Sequence, residues 1–324
     1  MKKHFLISCF LILILNFLPG TGRAQLKWTR VDSGYGQLPH SIQLYKTTDS
    51  LNGRPFIAMY AYINLRDRRL ELTTQTGQGK RLTPTQYFYT EGEPYIVVNS
   101  TFFSFETNQN LNVVIKDGKM VAFNQPSLKS RKSDSFYYPT RSAIGFSKSR
   151  RPDVAWLFTD TAQDWPYAFQ ERPIVAKGKT PDPSFKDLRT LDFWKWWKKH
   201  TAVGGGPALV KDGVVNVTNK EEQMFVNGLN DRHPRTAMGY TAHRELIILV
   251  VQGRFPGIAE GVTLEDEAKI LVDLGCVEAL NLDGGGSSCM LVNGNETIKP
   301  SDKTGQRAVP AVFMVRAKKK KSKQ

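Results

Sequence analysis

The sequence predicts a fold of the α+β class: a twisted sheet, mixed or largely antiparallel, built from two related strand units with helices packed against it. Three features indicate this. Short apolar runs bounded by Gly, Asn and Asp recur along the chain, which is typical of strands joined by turns. One strand unit is echoed later in the sequence. The clearest amphipathic helix comes late, at residues 263–275.

The first 24 residues have the pattern of a secretory signal. Lys2 and Lys3 give a basic start, residues 5–18 form an apolar segment too short to span a bilayer comfortably, and residues 22–24 offer a cleavage site before Gln25. No later apolar run in the sequence is long enough to cross a membrane. We therefore expect an exported protein, periplasmic or secreted, whose mature chain has no transmembrane anchor.

The net charge of +15 is unevenly distributed. Three positive charges belong to residues 1–24 and six to the C-terminal run from Arg316, which leaves about +6 for residues 25–315. An excess of that size suits a phosphate-containing or polyanionic substrate, although most exposed Lys and Arg are simply solvated. Residues 317–324 are predicted to be a basic tail. It has no aromatic residues between its lysines, so we expect no nucleic-acid partner.

Cysteine and histidine usage gives little support to a metal site. Cys276 and Cys289 are the only cysteines after the signal, and the sequence has neither a Cys-x-x-Cys nor a His-Glu-x-x-His motif. We expect two buried free thiols rather than a disulfide, because a chain of this length can build a sufficient core without one. No cofactor is predicted. A divalent cation beside Asp283 would be chemically reasonable, but too few carboxylates are grouped in sequence to predict one.

Residues 25–93 are predicted to form an N-terminal strand-rich segment, with strands at 56–63 and 69–73 and no visible chemistry. A short helix is expected to begin at residues 83–85. A buried strand at 94–98 then runs directly into Asn99.

The internal repeat consists of a hairpin followed by an arginine strand. The segment 141–146 is echoed by 235–240, and the Asp-Gly hairpin at 113–121 is echoed by the one at 208–215. Two related strand units would bring Arg141 and Arg235 to similar places.

Two other segments have sequence patterns that indicate their structure. The helix at 263–275 has Thr263 as its predicted N-cap, acids in its first turn, and Gly275 at its end. Residues 176–200 form an irregular insertion in which Trp194, Trp196 and Trp197 alternate with lysines. These rings could form a sugar-stacking platform, but packing of the insertion onto the body is the favoured interpretation.

Residues 281–288 carry a carboxylate, Asp283, followed by three glycines between two apolar runs. A second triple glycine, at 204–206, also follows a short apolar run. Such a loop is either a reactive carboxylate beside a nest of backbone N–H groups that favours anions, or a tight turn whose Asp caps backbone groups. The octapeptide alone leaves both interpretations open.

Five motifs resemble, in order and spacing, the phosphodiester glycosidase family. They are residues 99–103, 204–207, 235–239, 263–268 and 281–287. The resemblance covers roughly residues 94–316, which we predict to be the catalytic domain. It implies hydrolysis of the bond between the anomeric carbon of a sugar and a phosphodiester, and hence a sugar phosphodiester as substrate.

The residues suit that reaction, because an acidic phosphate leaving group needs neutralisation more than protonation. We predict Asp283, Arg235 and Asn99 as catalytic residues: Asp283 activates water or steadies the oxocarbenium-like sugar, Arg235 grips the phosphate, and Asn99 orients substrate. The predicted substrate-binding residues are Gly204, Gly205, Gly206, Thr236, Gly284, Gly285, Gly286, Ser287, Arg141 and Glu260.

Several alternatives stay open. A usual glycosidase has a second carboxylate, for which Glu260 and Glu267 are candidates, although Glu267 is as easily a first-turn helix acid. His233 could be a general acid, but a lone loop histidine is more often a surface group. The protein could also be a carbohydrate- or polyanion-binding protein without turnover, or a phosphodiesterase that cuts the phosphorus–oxygen bond.

Overall fold

The computed structural model describes residues 26–129, 134–178, 194–225 and 230–319. The predicted signal segment 1–24, residues 179–193 of the Trp-rich insertion and residues 320–324 of the basic tail lie outside the described residues.

The described part of the chain is rich in β-structure, so the expected α+β class is wrong. Its two α-helices, α1 (Pro84–Thr90) and α2 (Leu264–Asp273), have 7 and 10 residues. Neither is long and apolar enough to cross a bilayer, and the same holds for every helix in the described ranges. Sheets packed on one another, rather than layers of helices, bury most of the apolar surface.

The strands, in chain order, are β1 (Thr29–Arg30), β2 (Ile42–Thr47), β3 (Ser50–Leu51), β4 (Arg54–Pro55), β5 (Ala58–Asn64), β6 (Leu70–Thr76), β7 (Ile96–Asn99), β8 (Val114–Lys116), β9 (Lys119–Ala122), β10 (Leu128–Lys129), β11 (Phe136–Pro139), β12 (Arg141–Phe146), β13 (Pro152–Phe158), β14 (Tyr167–Phe169), β15 (Val175–Lys177), β16 (Trp194–Trp196), β17 (Thr201–Gly204), β18 (Ala208–Lys211), β19 (Val214–Val215), β20 (Arg235–Thr241), β21 (Glu245–Val251), β22 (Cys276–Asn281), β23 (Met290–Val292), β24 (Asn295–Glu296) and β25 (Ala311–Ala317). Short 3₁₀ turns occupy Asp32–Tyr35 and Gly285–Ser287.

Three larger sheets organise these strands, and all their strand pairs are antiparallel. The eight-stranded sheet has the order β1-β2-β5-β21-β20-β22-β18-β19, the seven-stranded sheet β16-β14-β13-β12-β17-β8-β9, and the five-stranded sheet β24-β23-β7-β25-β6. Smaller sheets contain β10-β11-β15 and β3-β4. The N-terminal strands are integral to this arrangement, because β5 pairs with β21 and β6 pairs with β25.

The internal repeat is visible in the strand order. The run β13-β12-β17-β8-β9 of one sheet corresponds to β21-β20-β22-β18-β19 of the other. Both hairpins turn through left-handed Asp-Gly pairs, Asp117-Gly118 and Asp212-Gly213, which is the geometry of a type I′ turn. Arg141 and Arg235 therefore begin equivalent strands, and each neighbouring strand leads into a triple glycine.

The core lies on both faces of the eight-stranded sheet. On one face Met238, Ile248 and Leu280 pack with Ile144 and Phe313 of the other two sheets. On the opposite face the apolar stripe of α2 covers a second apolar cluster. This two-sided burial explains why the sequence of β21 is almost continuously apolar.

The predicted end signals of α2 are confirmed. The Thr263 hydroxyl accepts a hydrogen bond of 3.1 Å from the Asp266 N–H, and Gly275 follows the helix with a φ of 83°. Cys276, the first residue of β22, and Cys289 are buried free thiols. Burial raises the pKa of both.

Candidate active site

A cavity of about 220 Å³ lies where strands of different sheets end. Arg235 enters it from the start of β20 and Asp283 from the loop after β22. Segments separated by almost fifty residues thus meet at one place. The lining residues are Phe102, Phe225, His233, Arg235, Arg254, Asn281, Asp283, Gly284 and Gly285.

Asp283 is held by its backbone and buried at its carboxyl group. Its N–H donates to the Ser100 carbonyl at 2.9 Å. Oδ2 is inaccessible to solvent and makes no hydrogen bond to a described residue. Burial raises the pKa of Asp283 to about 7, although the Ser287 hydroxyl and the Arg307 guanidinium partly offset that cost. Near neutral pH this carboxyl group can therefore both take up and release a proton.

Asn99 lies beneath Asp283 and does not line the cavity. Its Nδ2 donates to the Asp283 carbonyl at 2.5 Å, while its Oδ1 accepts from the Thr236 hydroxyl at 2.9 Å and from the Cys289 N–H at 3.1 Å. The side chain is completely buried. Asn99 and Thr236 thus tie together the ends of β7 and β20 and the carboxylate loop, which makes them supports of Asp283 in this geometry.

Arg235 is almost buried, with 5% of its surface exposed, but its contacts are long. Nε donates to the Val262 carbonyl and Nη2 to the Asp231 carbonyl, each at 3.3 Å, and the guanidinium lies 5.9 Å from the centre of the Phe225 ring. Two weak carbonyl contacts leave the planar fork able to receive a stronger anionic partner.

Glu267, from the first turn of α2, lies behind Arg235 and outside the cavity lining. Neither carboxyl oxygen makes a hydrogen bond to a described residue. Burial raises the pKa of Glu267 to about 8, and Arg235 only partly opposes that shift. The acid is therefore mostly protonated at neutral pH, so it does not neutralise the guanidinium.

The triple glycine after Asp283 makes room for two further arginines. A Cβ at Gly285 would lie 2.9 Å from Arg254 Nη2, and one at Gly286 would overlap the Arg307 guanidinium. Arg307 is oriented by Asp302 through an ion pair of 2.7 Å. Sequence reasoning missed both arginines, because they stand on irregular loops. The left-handed conformation of Arg254, with a φ of 66°, has no signature in the sequence.

The first triple glycine serves packing. The N–H groups of Gly204, Gly205 and Gly206 donate to the carbonyls of Val113, Ser142 and Asn281 at 2.8 to 2.9 Å. These donors are therefore used inside the protein, and none of the three glycines lines the cavity. A side chain at Gly205 would collide with the Asn281 carbonyl, which explains why the position is glycine.

Arg141 and Glu260 also lie away from the cavity lining. Arg141 donates to the Glu222 carbonyl and is 6% exposed. The Glu222 carboxyl accepts four hydrogen bonds, from Ser142 N, Ala208 N, the Thr218 hydroxyl and Trp156 Nε1. Burial raises the pKa of Glu222, and these donors and Arg141 oppose the shift. Glu260 forms a 2.7 Å ion pair with the exposed Arg54.

His233 lines the cavity between the cations. Its Nδ1 is buried without a partner among the described residues. Burial, Arg235 and Arg254 lower the pKa of His233, so the imidazole is neutral at pH 7. A neutral ring is poorly suited to the general-acid role considered for it. In the described ranges, no group of three or more His, Cys, Asp or Glu side chains is arranged to hold a metal ion.

Comparison with known proteins identifies the family of this fold. Over 74 residues the chain is 39% identical to an uncharacterized protein of the SPbeta prophage of Bacillus subtilis, and over 78 residues it is 37% identical to N-acetylglucosamine-1-phosphodiester alpha-N-acetylglucosaminidase of Bos taurus. These matches cover 23% and 24% of this chain, but only 11% and 14% of the two relatives.

A solved structure is similar over a much longer range. The catalytic domain of the zebrafish N-acetylglucosamine-1-phosphodiester alpha-N-acetylglucosaminidase, auto-inhibited by its pro-peptide, aligns with a TM-score of 0.57 and 19% identity. The alignment covers 92% of this chain and 86% of that one, and shows a common fold. The phosphodiester glycosidase family model matches residues 92–316, well over half of the sequence. The chain therefore belongs to the phosphodiester glycosidase family.

Proposed function

We propose that this protein hydrolyses the C1–O bond of a glycosyl-1-phosphodiester and releases the sugar from a phosphorylated glycan or a related envelope molecule. The observation that carries the proposal is the position of Asp283, a carboxyl group with a pKa of about 7, in a cavity also lined by Arg235 and Arg254. Family membership supports a glycosidase-type activity.

The charge of the cavity favours a phosphodiester. Arg235 and Arg254 line it, Arg307 approaches from behind the glycine loop, and Asp283 is the one carboxylate among the described lining residues. A phosphodiester group is a permanent anion near neutral pH, and guanidinium groups bind its oxygens with paired hydrogen bonds. The volume of about 220 Å³ fits a single sugar-phosphate unit rather than a long segment of polymer.

The reaction would proceed as follows. The Asp283 carboxylate accepts a proton from water while the water oxygen bonds to the anomeric carbon. The C1–O bond breaks, and its electron pair leaves with the phosphate oxygen, which the arginines stabilise. The products are a reducing sugar and a phosphomonoester. Because phosphate is a good leaving group, the reaction does not depend on His233 as an acid.

The first experiment is a screen of N-acetylglucosamine-1-phosphodiester and its glucose, galactose and mannose counterparts in ¹⁸O-labelled water. Label in the released sugar is the expected result. Label in the phosphate would instead mean phosphorus–oxygen cleavage. Binding without turnover of any of these substrates would favour the non-catalytic alternative.

The second experiment compares Asp283→Asn with Glu260→Gln. We expect Asp283→Asn to lower kcat by roughly 10²- to 10⁴-fold with substrate affinity largely retained, because it removes only the proton acceptor. Glu260→Gln should retain activity, since Glu260 is paired with Arg54 outside the cavity lining. For the wild type, kcat/KM should rise with pH and level off above about 7, as Asp283 loses its proton. A rate that is flat between pH 5 and 8 would contradict the role of Asp283 as base.

We also propose that the protein is exported, since its N-terminus has a basic start, an apolar segment and a small-residue cleavage site. N-terminal sequencing of protein recovered outside the cytoplasm should begin near Gln25. An intact Met1 on that protein would refute the cleavage.

A further inference from the structure

A second and larger cavity lies at the opposite end of the sheets. It is an open groove of about 850 Å³, bordered by the ends of β12 and β25, the starts of β6 and β17, and the turn between β20 and β21. Arg235 begins β20 beside the candidate active site, whereas Arg244 follows its other end and lines the groove. Thr241 is six residues after Arg235 in this strand, so the two sites lie roughly 20 Å apart along it.

The groove is lined by nine Arg and Lys side chains and one carboxylate, Glu71. The single acid is already used, because Arg316 holds it through contacts of 3.1 and 3.2 Å. The nine cations are Arg66, Arg68, Lys148, Arg150, Arg151, Arg244, Arg316, Lys318 and Lys319. Arg316 is compensated by Glu71 and by Glu91, which lies 3.8 Å away, so the excess comes from the other eight cations. Such an excess of positive charge on a concave surface concentrates the positive potential and attracts polyanions.

Two of these arginines are fixed in place by the backbone. Arg150 and Arg244 both have left-handed conformations, with φ of 58° and 64°. Arg150 donates to the Asp67 and Leu70 carbonyls, and Arg244 Nη2 donates to the Ser149 carbonyl at 2.8 Å. They therefore project from anchored turns at the edge of the groove, unlike mobile surface lysines.

The groove contains cations that repel one another and buried nitrogen atoms that have no hydrogen-bond partner among the described residues. Burial lowers the pKa of Arg150, and the guanidinium groups of Arg244 and Arg68 add to this shift while the neighbouring Asp67 opposes it. Arg244 Nε and His200 Nδ1 are buried and make no hydrogen bond to a described residue. An anion in the groove would relieve the repulsion and could satisfy donors that now have no acceptor.

We propose that this groove is a second binding site, which takes a chain of phosphate groups that carries no planar bases. Arginine outnumbers lysine six to three in the lining, which favours phosphate oxygens because the guanidinium binds them with two parallel hydrogen bonds. The size of the groove suits several consecutive phosphates. This proposal goes beyond the hydrolytic function and does not rest on it.

Two other polyanions fit less well. Single-stranded nucleic acid needs aromatic side chains on which bases stack, and the one aromatic residue besides His200 in the lining, Phe146, is buried. A membrane surface would require exposed apolar side chains that enter the lipid, and the apolar lining residues Leu70, Leu72 and Phe146 are all buried.

The test measures binding of inorganic polyphosphate to the full chain by isothermal titration calorimetry at several salt concentrations. The groove variant is Arg68→Gln, Lys148→Gln and Arg151→Gln combined, three exposed lining cations. The matched control is Lys27→Gln, Arg172→Gln and Lys220→Gln combined, three exposed cations that line neither cavity. Arg254→Gln, which removes an exposed cation that lines the candidate active site, is a second control, and thermal melting verifies that every variant is folded.

We expect the groove variant to bind polyphosphate at least about tenfold more weakly at low salt, and the slope of log K against log salt to fall by about 2, or roughly 0.7 per charge removed. The control triple and Arg254→Gln should bind within twofold of the wild type. Equal losses in both triples would mean diffuse attraction, and a loss in Arg254→Gln would mean binding in the other cavity. Either would overturn the proposal, as would tighter binding of oligodeoxythymidylate of equal charge or of phosphatidylglycerol vesicles.

Discussion

Glu267 is the clearest test of the electrostatics behind the candidate active site. The acid is fully buried, neither oxygen has a hydrogen-bond partner among the described residues, and its pKa is raised to about 8. An unfolded chain releases this proton near pH 4.5. Between these values the folded state binds more protons than the unfolded state, so this group makes stability fall as pH rises.

The size of the effect follows from the two pKa values. Between pH 5 and pH 8, Glu267 should lower the free energy of unfolding by about 3–4 kcal/mol, at 1.36 kcal/mol for each unit over which the two states differ in protonation. The loss should be complete slightly above pH 8. Glu267→Gln removes the titration and keeps the shape and polarity of the side chain, so it should remove this part of the pH dependence.

The assay is urea unfolding of the wild type and Glu267→Gln at pH 5, 6, 7 and 8. The difference in stability between the two proteins should change by about 3–4 kcal/mol across this range, in favour of the variant at high pH. Glu265→Gln is the matched control, because Glu265 stands in the same helical turn with 65% of its side chain exposed. Parallel pH curves for the wild type and Glu267→Gln would refute the reasoning, since they would mean that Glu267 ionises normally in the folded protein.

Three further substitutions test the supports of the site. Asn99→Ala should lower the free energy of unfolding by about 2–4 kcal/mol, because three hydrogen bonds are lost, one of them to the Asp283 carbonyl; urea unfolding that matches the wild type would contradict this. Glu222→Ala should lower the free energy of unfolding by about 3–5 kcal/mol, since it removes the acceptor of four buried donors. Because about 1 kcal/mol shifts Tm by roughly 2–4 °C, a melting temperature within 2 °C of the wild type would contradict this cost. Gly286→Ala should push the Arg307 guanidinium aside and raise KM for the phosphodiester, and its effect on KM, expressed as a free energy, should exceed its effect on stability. An unchanged KM would mean that Arg307 takes no part in phosphate binding.

Local sequence signals predicted the elements that carry their own end markers. The Asp-Gly pairs at 117–118 and 212–213 form left-handed turns, and Thr263 caps its helix. Each of these depends on a few neighbouring residues, so a single sequence contains the necessary information. Arg235 and Asp283 were predicted to act together because both belong to motifs that resemble one family, and they line one cavity, whereas Asn99 and residues 204–206 do not.

The fold class required information that lies between distant segments. The apolar strands were recognisable, but nothing in one strand tells whether its face is covered by a helix or by another sheet. Here Ile144 and Phe313 of other sheets cover one face of the eight-stranded sheet, so the structure needs few helices. The expectation of packed helices failed for this reason.

The sequence predicted only some of the residues that form the candidate site. The two triple glycines look alike in sequence, yet the N–H groups of 204–206 are used in packing, whereas 284–286 gives space to Arg254 and Arg307. A glycine at such a position indicates that a neighbouring group lies close to its Cα. The sequence does not say whether that group is a backbone carbonyl or a guanidinium. The arginines themselves lie on irregular loops without periodicity.

The internal repeat places Arg141 and Arg235 at the starts of equivalent strands, but the two arginines differ in their accessibility to an anion from solution. In the first copy the place in front of Arg141 is filled by the protein's own Glu222 segment. In the second copy Arg235 makes only two long carbonyl contacts and borders the cavity, and the buried Glu267 keeps its proton, so the guanidinium retains its charge there. A molecule that enters this cavity from solution therefore meets Arg235 but not Arg141, although the two residues begin equivalent strands.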